Sequence, residues 1–278
     1  MSEGRTPNPP TETRSLGRRI RDDPMEVVVG GLFHRHLHPT LVETSRGARL
    51  QSVDPEAVLA AVLPPGDPAL TELAREFDES WTRLRSRVRD GLLFAERTAF
   101  LRGEGWILYA LARRLRPEQV VETGVANGHS SFLLLEALRR NGRGRLVSFD
   151  VMAGAGELVP QELRSGWDLR ILPQRGRAAA FRDAMALLGP VGLFLHDSAH
   201  SYGWMELEFR AAWARLVPGG VLAADDIDWS YAFLDFARSV GTRPVVLVEA
   251  SKPFGLLARP AGSPVSLPAT PHGASERA

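Results

Sequence analysis

The chain contains no cysteine. That single absence excludes disulfides, thiolate metal ligands and a cysteine nucleophile, and leaves the redox compartment open. Lysine is almost missing too. Of the 34 basic residues 33 are arginine, and Lys252 is the exception. The arginine excess runs through the whole sequence, which fits a compositional bias better than a dedicated anion site. No apolar run approaches the roughly 18 residues of a membrane helix. The first 24 residues, rich in Pro, Thr, Ser and Arg, lack the apolar core of a secretory signal, and Glu3, Glu12, Asp22 and Asp23 are out of place in a transit peptide. The net charge of +1 provides no global field for nucleic acid or membrane. A soluble, cytoplasmic chain is therefore expected.

What is present is ordinary globular material, 44% hydrophobic and 24% charged, and 278 residues can bury a substantial core. Residues 1–24 are expected to be disordered. The following EVVVGGLFHRHLHPT carries His34, His36 and His38 on one face of an extended segment. With no carboxylate or cysteine nearby, this reads as a surface strand or a loop over an active site. Asp54-Pro55 opens a short helix, with Asp54 as its N-cap. Leu70, Leu73, Phe77, Trp81, Leu84 and Val88 recur at helical spacing and predict an amphipathic helix over 69–90 that Gly91 stops. Its arginines, Arg83, Arg85, Arg87 and Arg89, spread around the helix and read as a solvated face or partner surface. A further helix is expected over 104–115. Residues 25–99 thus form a mainly helical cap, with no strand–helix alternation.

From Gln119 the texture changes. Short apolar runs (QVVETG, RLVSFDV, WDLRILPQ, VGLFLH, GVLAADDI) alternate with helical stretches over 128–140, 178–188, 202–216 and 229–240. Such alternation means βαβ units and a parallel sheet. PVVLVEA and GLLARP are separated by SKPF alone, too short for a crossover, so they should pair antiparallel. The fold class is α/β: a doubly wound, mostly parallel, seven-stranded sheet over 100–260, followed by a loose tail over 261–278.

Two constellations carry chemistry. In E-T-G-V-A-N-G a strand ends at Glu122, Gly124 and Gly128 allow tight turning, and a helix begins. That geometry puts a ligand against a helix N-terminus. Ala126 stands where the dinucleotide fingerprint needs its second glycine. An acid two positions before the first glycine is instead typical of S-adenosylmethionine (SAM) sites, and Asp150 at the next strand end could accept both ribose hydroxyls. The second constellation is Asp197 with the Asp225-Asp226 pair, at the ends of strands expected to be neighbours. Three oxygen donors of this kind suit Mg²⁺ or a similar cation. His200, three residues after Asp197, is the candidate general base. His196 points the other way along an alternating strand and reads as support.

At these residues the chain resembles class I SAM-dependent methyltransferases. More narrowly, VVETGVANGHSSFLLLEAL, LFLHDSAHSYGWMELEF and LVPGGVLAADDI resemble the metal-dependent O-methyltransferases that modify sugars of macrolide antibiotics. Catechol O-methyltransferases and cephalosporin-hydroxylase-like proteins are more distant. The resemblance implies metal ligands Asp197, Asp225 and Asp226, a base at His200, and SAM contacts at Glu122, Gly124, Ser130 and Asp150. Gly128 and Asp197 complete the expected cofactor-binding set. Catechol-type enzymes usually carry Asp-Asn where this chain has Asp225-Asp226. The implied partner is a small hydroxylated acceptor molecule, with neither nucleic acid nor membrane involved, and the helical N-terminal region leaves room for a homo-oligomer. A nicotinamide-linked oxidoreductase and a non-catalytic SAM-binding protein are the competing readings.

Overall fold

The short apolar runs become the strands of one sheet because each is buried on both faces. The structure is a computed structural model that describes residues 38–63, 66, 68–89, 91–92 and 100–262. The segments expected to be disordered at 1–24 and most of the 261–278 tail lie outside the described residues, as do His34 and His36.

In chain order the elements are α1 (Leu41–Gly47), β1 (Leu50–Ser52), α2 (Pro55–Val62), α3 (Leu70–Arg85), α4 (Arg102–Leu115), β2 (Gln119–Thr123), α5 (His129–Asn141) and β3 (Arg145–Asp150). A 3₁₀ turn over Gln161–Gly166 leads to β4 (Trp167–Ile171), α6 (Arg177–Ala186), β5 (Val191–His196), α7 (Tyr202–Arg215) and β6 (Leu216–Ala224). The last elements are α8 (Ala232–Ser239), β7 (Val245–Glu249) and β8 (Lys252–Ala258). The strand order is β1-β7-β8-β6-β5-β2-β3-β4. Every pairing is parallel except those of β8, which runs antiparallel to β6 and β7.

Among the described residues the sheet has eight strands, one more than the sequence predicts. The extra strand is Leu50–Ser52, paired in parallel with β7 at the sheet edge. Three half-buried residues, Leu-Gln-Ser, carry no apolar alternation, so the 25–116 stretch shows no strand signal of its own. The helix over 69–90 ends early, at Arg85. Two of its arginines also turn inward to the chain. Arg83 pairs with the buried Glu136, and Arg87 Nε donates to the Leu158 carbonyl at 2.7 Å. That basic stretch is thus partly an internal tether, not simply a solvated face.

Two apolar layers cover the sheet. Leu73, Phe77 and Leu84 of α3, Ile107 and Tyr109 of α4, and Phe132 of α5 fill one side. Phe181 of α6, Phe209 of α7 and Phe233 of α8 fill the other. Each fully buried side chain of this size contributes about 1.5–3 kcal/mol relative to exposure. The chain leaves β2 toward β3 and β4 on one side and toward β5 and β6 on the other. The crevice at the carboxyl ends of β2 and β5 is therefore the switch point, where open α/β sheets hold ligands.

Candidate active site

The β2–α5 turn and the β5–α7 turn meet at the switch point, backbone to backbone. Gly124 adopts φ +80°, and a Cβ there would fall 1.8 Å from the Asp197 carbonyl oxygen. No other residue fits. Gly128, at φ +92°, caps α5 and lies against the Gly156 backbone.

Glu122 lies beneath this turn, not in the cleft. It is fully buried, and its carboxylate accepts the hydroxyls of Ser130, Ser131 (2.6 Å) and Ser148 (2.7 Å). Burial pushes its carboxyl up, and the three hydroxyls oppose that shift. Glu122, expected to contact the cofactor, meets the cavity through Ser130, whose hydroxyl it accepts and which does line the wall.

Asp150 is also engaged by the backbone. Its Oδ2 accepts the Val125 and Ala126 N–H groups at 2.8 and 3.1 Å, and Oδ1 accepts those of Val151 and Met152 at 2.6 and 2.8 Å. Four N–H donors occupy the usual lone-pair sites of one carboxylate. A ribose reaching Asp150 would share these bonds rather than find the oxygens free. Asp150 nonetheless lines a cavity of about 240 Å³, together with Gly124, Phe149, Met152 and Leu172.

A second cavity, of about 550 Å³, lies beside the first, and the two share Ala126, Asp197 and Ser198. Its walls include His129, Ser130, His200, Asp225, Asp226 and Lys252. The turn that carries Asp197 is fixed from below by a buried network. Glu208 Oε2 lies 2.5 Å from His196 Nδ1 and accepts Thr123 Oγ1 at 2.7 Å. Its Oε1 accepts Ser198 Oγ at 2.9 Å, and Ser198 Oγ in turn accepts Trp204 Nε1 at 2.9 Å. His196, fully buried in this network, has the supporting place its strand position implies.

His200 Nε2 lies 3.5 Å from Asp226 Oδ2, and its Nδ1 is buried without a hydrogen-bond partner. Burial, helped by the neighbouring His196 and then by Lys252, drives its pKa down to about 3, so the imidazole is neutral at pH 7. The His200–Asp226 contact is accordingly one between a neutral ring and a carboxyl group, not an ion pair. Burial and the neighbouring Asp225 raise Asp226 to about 6, and the same causes push Asp197 well above the ordinary carboxyl range. Asp226 sits at φ +49°, a left-handed conformation that Asp tolerates better than most residues.

Asp197, Asp225 and Asp226 do line one cavity, but the last two hold a lysine between them. Lys252 Nζ lies 2.5 Å from Asp225 Oδ2, 3.7 Å from Asp226 Oδ1 and 3.7 Å from Glu104 Oε1. Among the described residues no three His, Asp or Glu side chains are arranged to hold a metal ion. A divalent cation would have to share this space with an ammonium group, so the expected Mg²⁺ site does not fit the residues as they stand.

Lys252 and Glu104 are the site residues that sequence reasoning missed. Glu104 comes from α4, within what reads as a plain amphipathic helix. Lys252 had one available signal, its singularity among the basic residues.

A family model described as a methyltransferase domain matches residues 121–227. No curated protein sequence matches the chain. Solved structures similar to it include an O-methyltransferase from Bacillus cereus in complex with S-adenosylhomocysteine (SAH), at 15% identity and TM-score 0.46, covering 73% of this chain and 94% of that one. Another is TomG from Streptomyces achromogenes, an O-methyltransferase involved in tomaymycin synthesis, in complex with SAM, at 20% identity and TM-score 0.46, covering 73% and 95%. A third is an SAH-bound methyltransferase from Podospora anserina, at 14% identity and TM-score 0.45, covering 71% and 98%.

Proposed function

Taking residues 121–227 as a methyltransferase domain, we propose that this chain is a SAM-dependent O-methyltransferase acting on a hydroxyl of a small polyhydroxylated molecule, such as a natural product or its sugar. The observation that carries the proposal is the pair of joined cavities. One has apolar walls and a strand-end acid suited to an adenosyl group, the other a neutral imidazole and carboxylates, and they share Ala126, Asp197 and Ser198.

In this reading the apolar walls from Phe149, Met152 and Leu172 take the adenine, and Asp150 faces the ribose. The N-terminus of α5, with Ser130 beside it, receives the carboxylate of the methionine part. Bound SAM supplies a sulfonium whose methyl is already activated for displacement, so the protein mainly positions and deprotonates. His200, neutral in the resting site, takes the acceptor hydroxyl's proton. The new O–CH₃ bond forms as the S–CH₃ bond breaks, and SAH leaves. Asp226, 3.5 Å from His200 Nε2, is placed to stabilise the imidazolium. The divalent cation expected from the sequence has no part in these steps.

Calorimetric titration with SAH and with NAD tests the cofactor reading. Saturable SAH binding is the expected result, and NAD binding without SAH binding would favour a nicotinamide-linked oxidoreductase. Incubating the chain with SAM and a panel of vicinal diols, with mass detection of one added methyl group, then identifies the acceptor. SAH binding without turnover on any acceptor would leave a non-catalytic SAM-binding protein.

A further inference from the structure

We propose that Lys252 is the resident cation of this site, holding with its ammonium group the place where the resemblance puts a divalent metal. The inference rests on the methyltransferase reading for what the site does, but its geometry stands independently.

Four carboxyl-bearing side chains from three segments (Asp197, the Asp225-Asp226 pair and Glu104) gather within one cavity wall or directly behind it. Left alone they would repel one another strongly in a partly buried setting. Asp225 Oδ1 and Glu104 Oε1 are buried and have no hydrogen-bond donor among the described residues. Lys252 answers this charge from the first position of β8, with its side chain only 27% exposed. Burial works against its charge, but Asp225 and Glu104 outweigh that cost and hold the ammonium above its ordinary value.

The backbone is built to keep the lysine there. Glu249 and Lys252 face each other across a two-residue turn, in which Ala250 and Ser251 adopt φ +50° and +68°. Such a turn favours Asn-Gly, and alanine and serine accept it at a cost. On the other side of the turn, Glu249 accepts the Gly103 N–H of α4 at 2.8 Å. A Cβ at Gly103 would sit 2.4 Å from Glu249 Oε2 and push the carboxylate off this bond. The hairpin is thus clamped to the helix that supplies Glu104.

The choice of lysine is also chemical. A guanidinium is a planar fork suited to bidentate partners, whereas an ammonium is a compact point charge. With one short bond to Asp225 and two partners at 3.7 Å, Nζ keeps donor capacity for an acceptor oxygen entering the cavity. In a chain with 33 arginines, the lone lysine stands where a metal-sized charge is required.

Titration of the purified chain with Mn²⁺, followed by electron paramagnetic resonance, tests this without knowledge of the acceptor. No saturable Mn²⁺ binding below about 1 mM is expected, because that range marks even weak protein sites. Lys252→Met keeps the stem and removes the charge, and should create a Mn²⁺ site at least about tenfold tighter while retaining SAH binding. Tight Mn²⁺ binding by the unaltered chain would overturn the proposal, as would a folded, SAH-binding Lys252→Met chain that gains no Mn²⁺ site. The unaltered chain decides the matter even if the variant fails to fold. Failure of SAH binding would count against the cofactor reading alone. Once an acceptor is in hand, methyl transfer should proceed unchanged in EDTA.

Discussion

Glu122 in β2 and Asp225 at the end of β6 are both buried carboxylates of the same sheet, two strands apart, and they are treated in opposite ways. Three serine hydroxyls meet Glu122, and neither of its oxygens is left over. Asp225 shares one oxygen with Lys252 and leaves the other with no donor. A satisfied buried carboxylate fixes a local structure, here the start of α5. A crowded, half-satisfied one stores unfavourable electrostatics that persist only because the surrounding fold imposes them. The difference separates scaffold from chemistry within a single layer of the molecule.

The sharpest break in that comparison is His200→Ala. It should cut turnover by about 10²–10⁴-fold and leave the unfolding midpoint essentially unchanged, as measured by methyl transfer to an accepted diol and by urea denaturation. A large loss of stability would move His200 to the scaffold side. Glu122→Ala should do the reverse. It leaves three buried hydroxyls without their acceptor and should cost on the order of 3 kcal/mol, read as a shift of the urea midpoint. A loss below about 1 kcal/mol would mean that the serines find other partners.

How much of this was legible beforehand follows the same division. The strands and their order of appearance could be read because a run buried on both faces writes a continuous apolar signal, as Val191–His196 does. Asp197, Asp225, Asp226 and His200 were found because each lies within a few residues of such a run. Glu104 and Lys252 were not, because they join the carboxylate cluster from elements whose sequences describe only their own packing. β1 was hidden for a related reason: three residues gain a strand conformation from β7, not from themselves. The donors around Glu122 and Asp150 were not legible, because spacing shows that a carboxylate is near a turn, but not which groups have already claimed it.

A smaller effect distinguishes two further carboxylates by pH. Burial first, and Asp225 next, push Glu104 up to about 8 from an ordinary value of 4.5. A carboxyl that holds its proton better when folded contributes its full stability below the unfolded value and loses it as pH rises through the folded one. The chain should therefore lose stability between pH 4.5 and about 8, and Glu104→Gln should flatten that decline. Glu76 has the opposite sign. The hydrogen bond from Arg113 holds it below its usual range, so its contribution is lost as pH falls, and Glu76→Gln should flatten the acid limb instead. Urea unfolding across pH reads both slopes; Asp197, Asp226 and Glu122, raised in the same direction, supply the decline that remains in Glu104→Gln, and a slope that this substitution leaves unchanged would remove Glu104 from it.

The smallest expected change is Ser251→Gly. Relief of the left-handed conformation at φ +68° should raise stability by about 1 kcal/mol, with SAH binding unaltered. A drop in stability would show that serine holds the hairpin by something besides its backbone.

Because the sequence has one lysine and that lysine is Lys252, the chain offers a single ε-amino group to acylating reagents. Amine-selective labelling, a blunt instrument on most proteins, reports here on one internal position once peptide mapping separates it from the more reactive N-terminal amine. Its rate should be slow while Asp225 holds the ammonium protonated, and slower again when an acceptor or an inhibitor fills the space beside it. A reagent that competes with such a ligand would identify acceptors by protection alone, before any product has been detected.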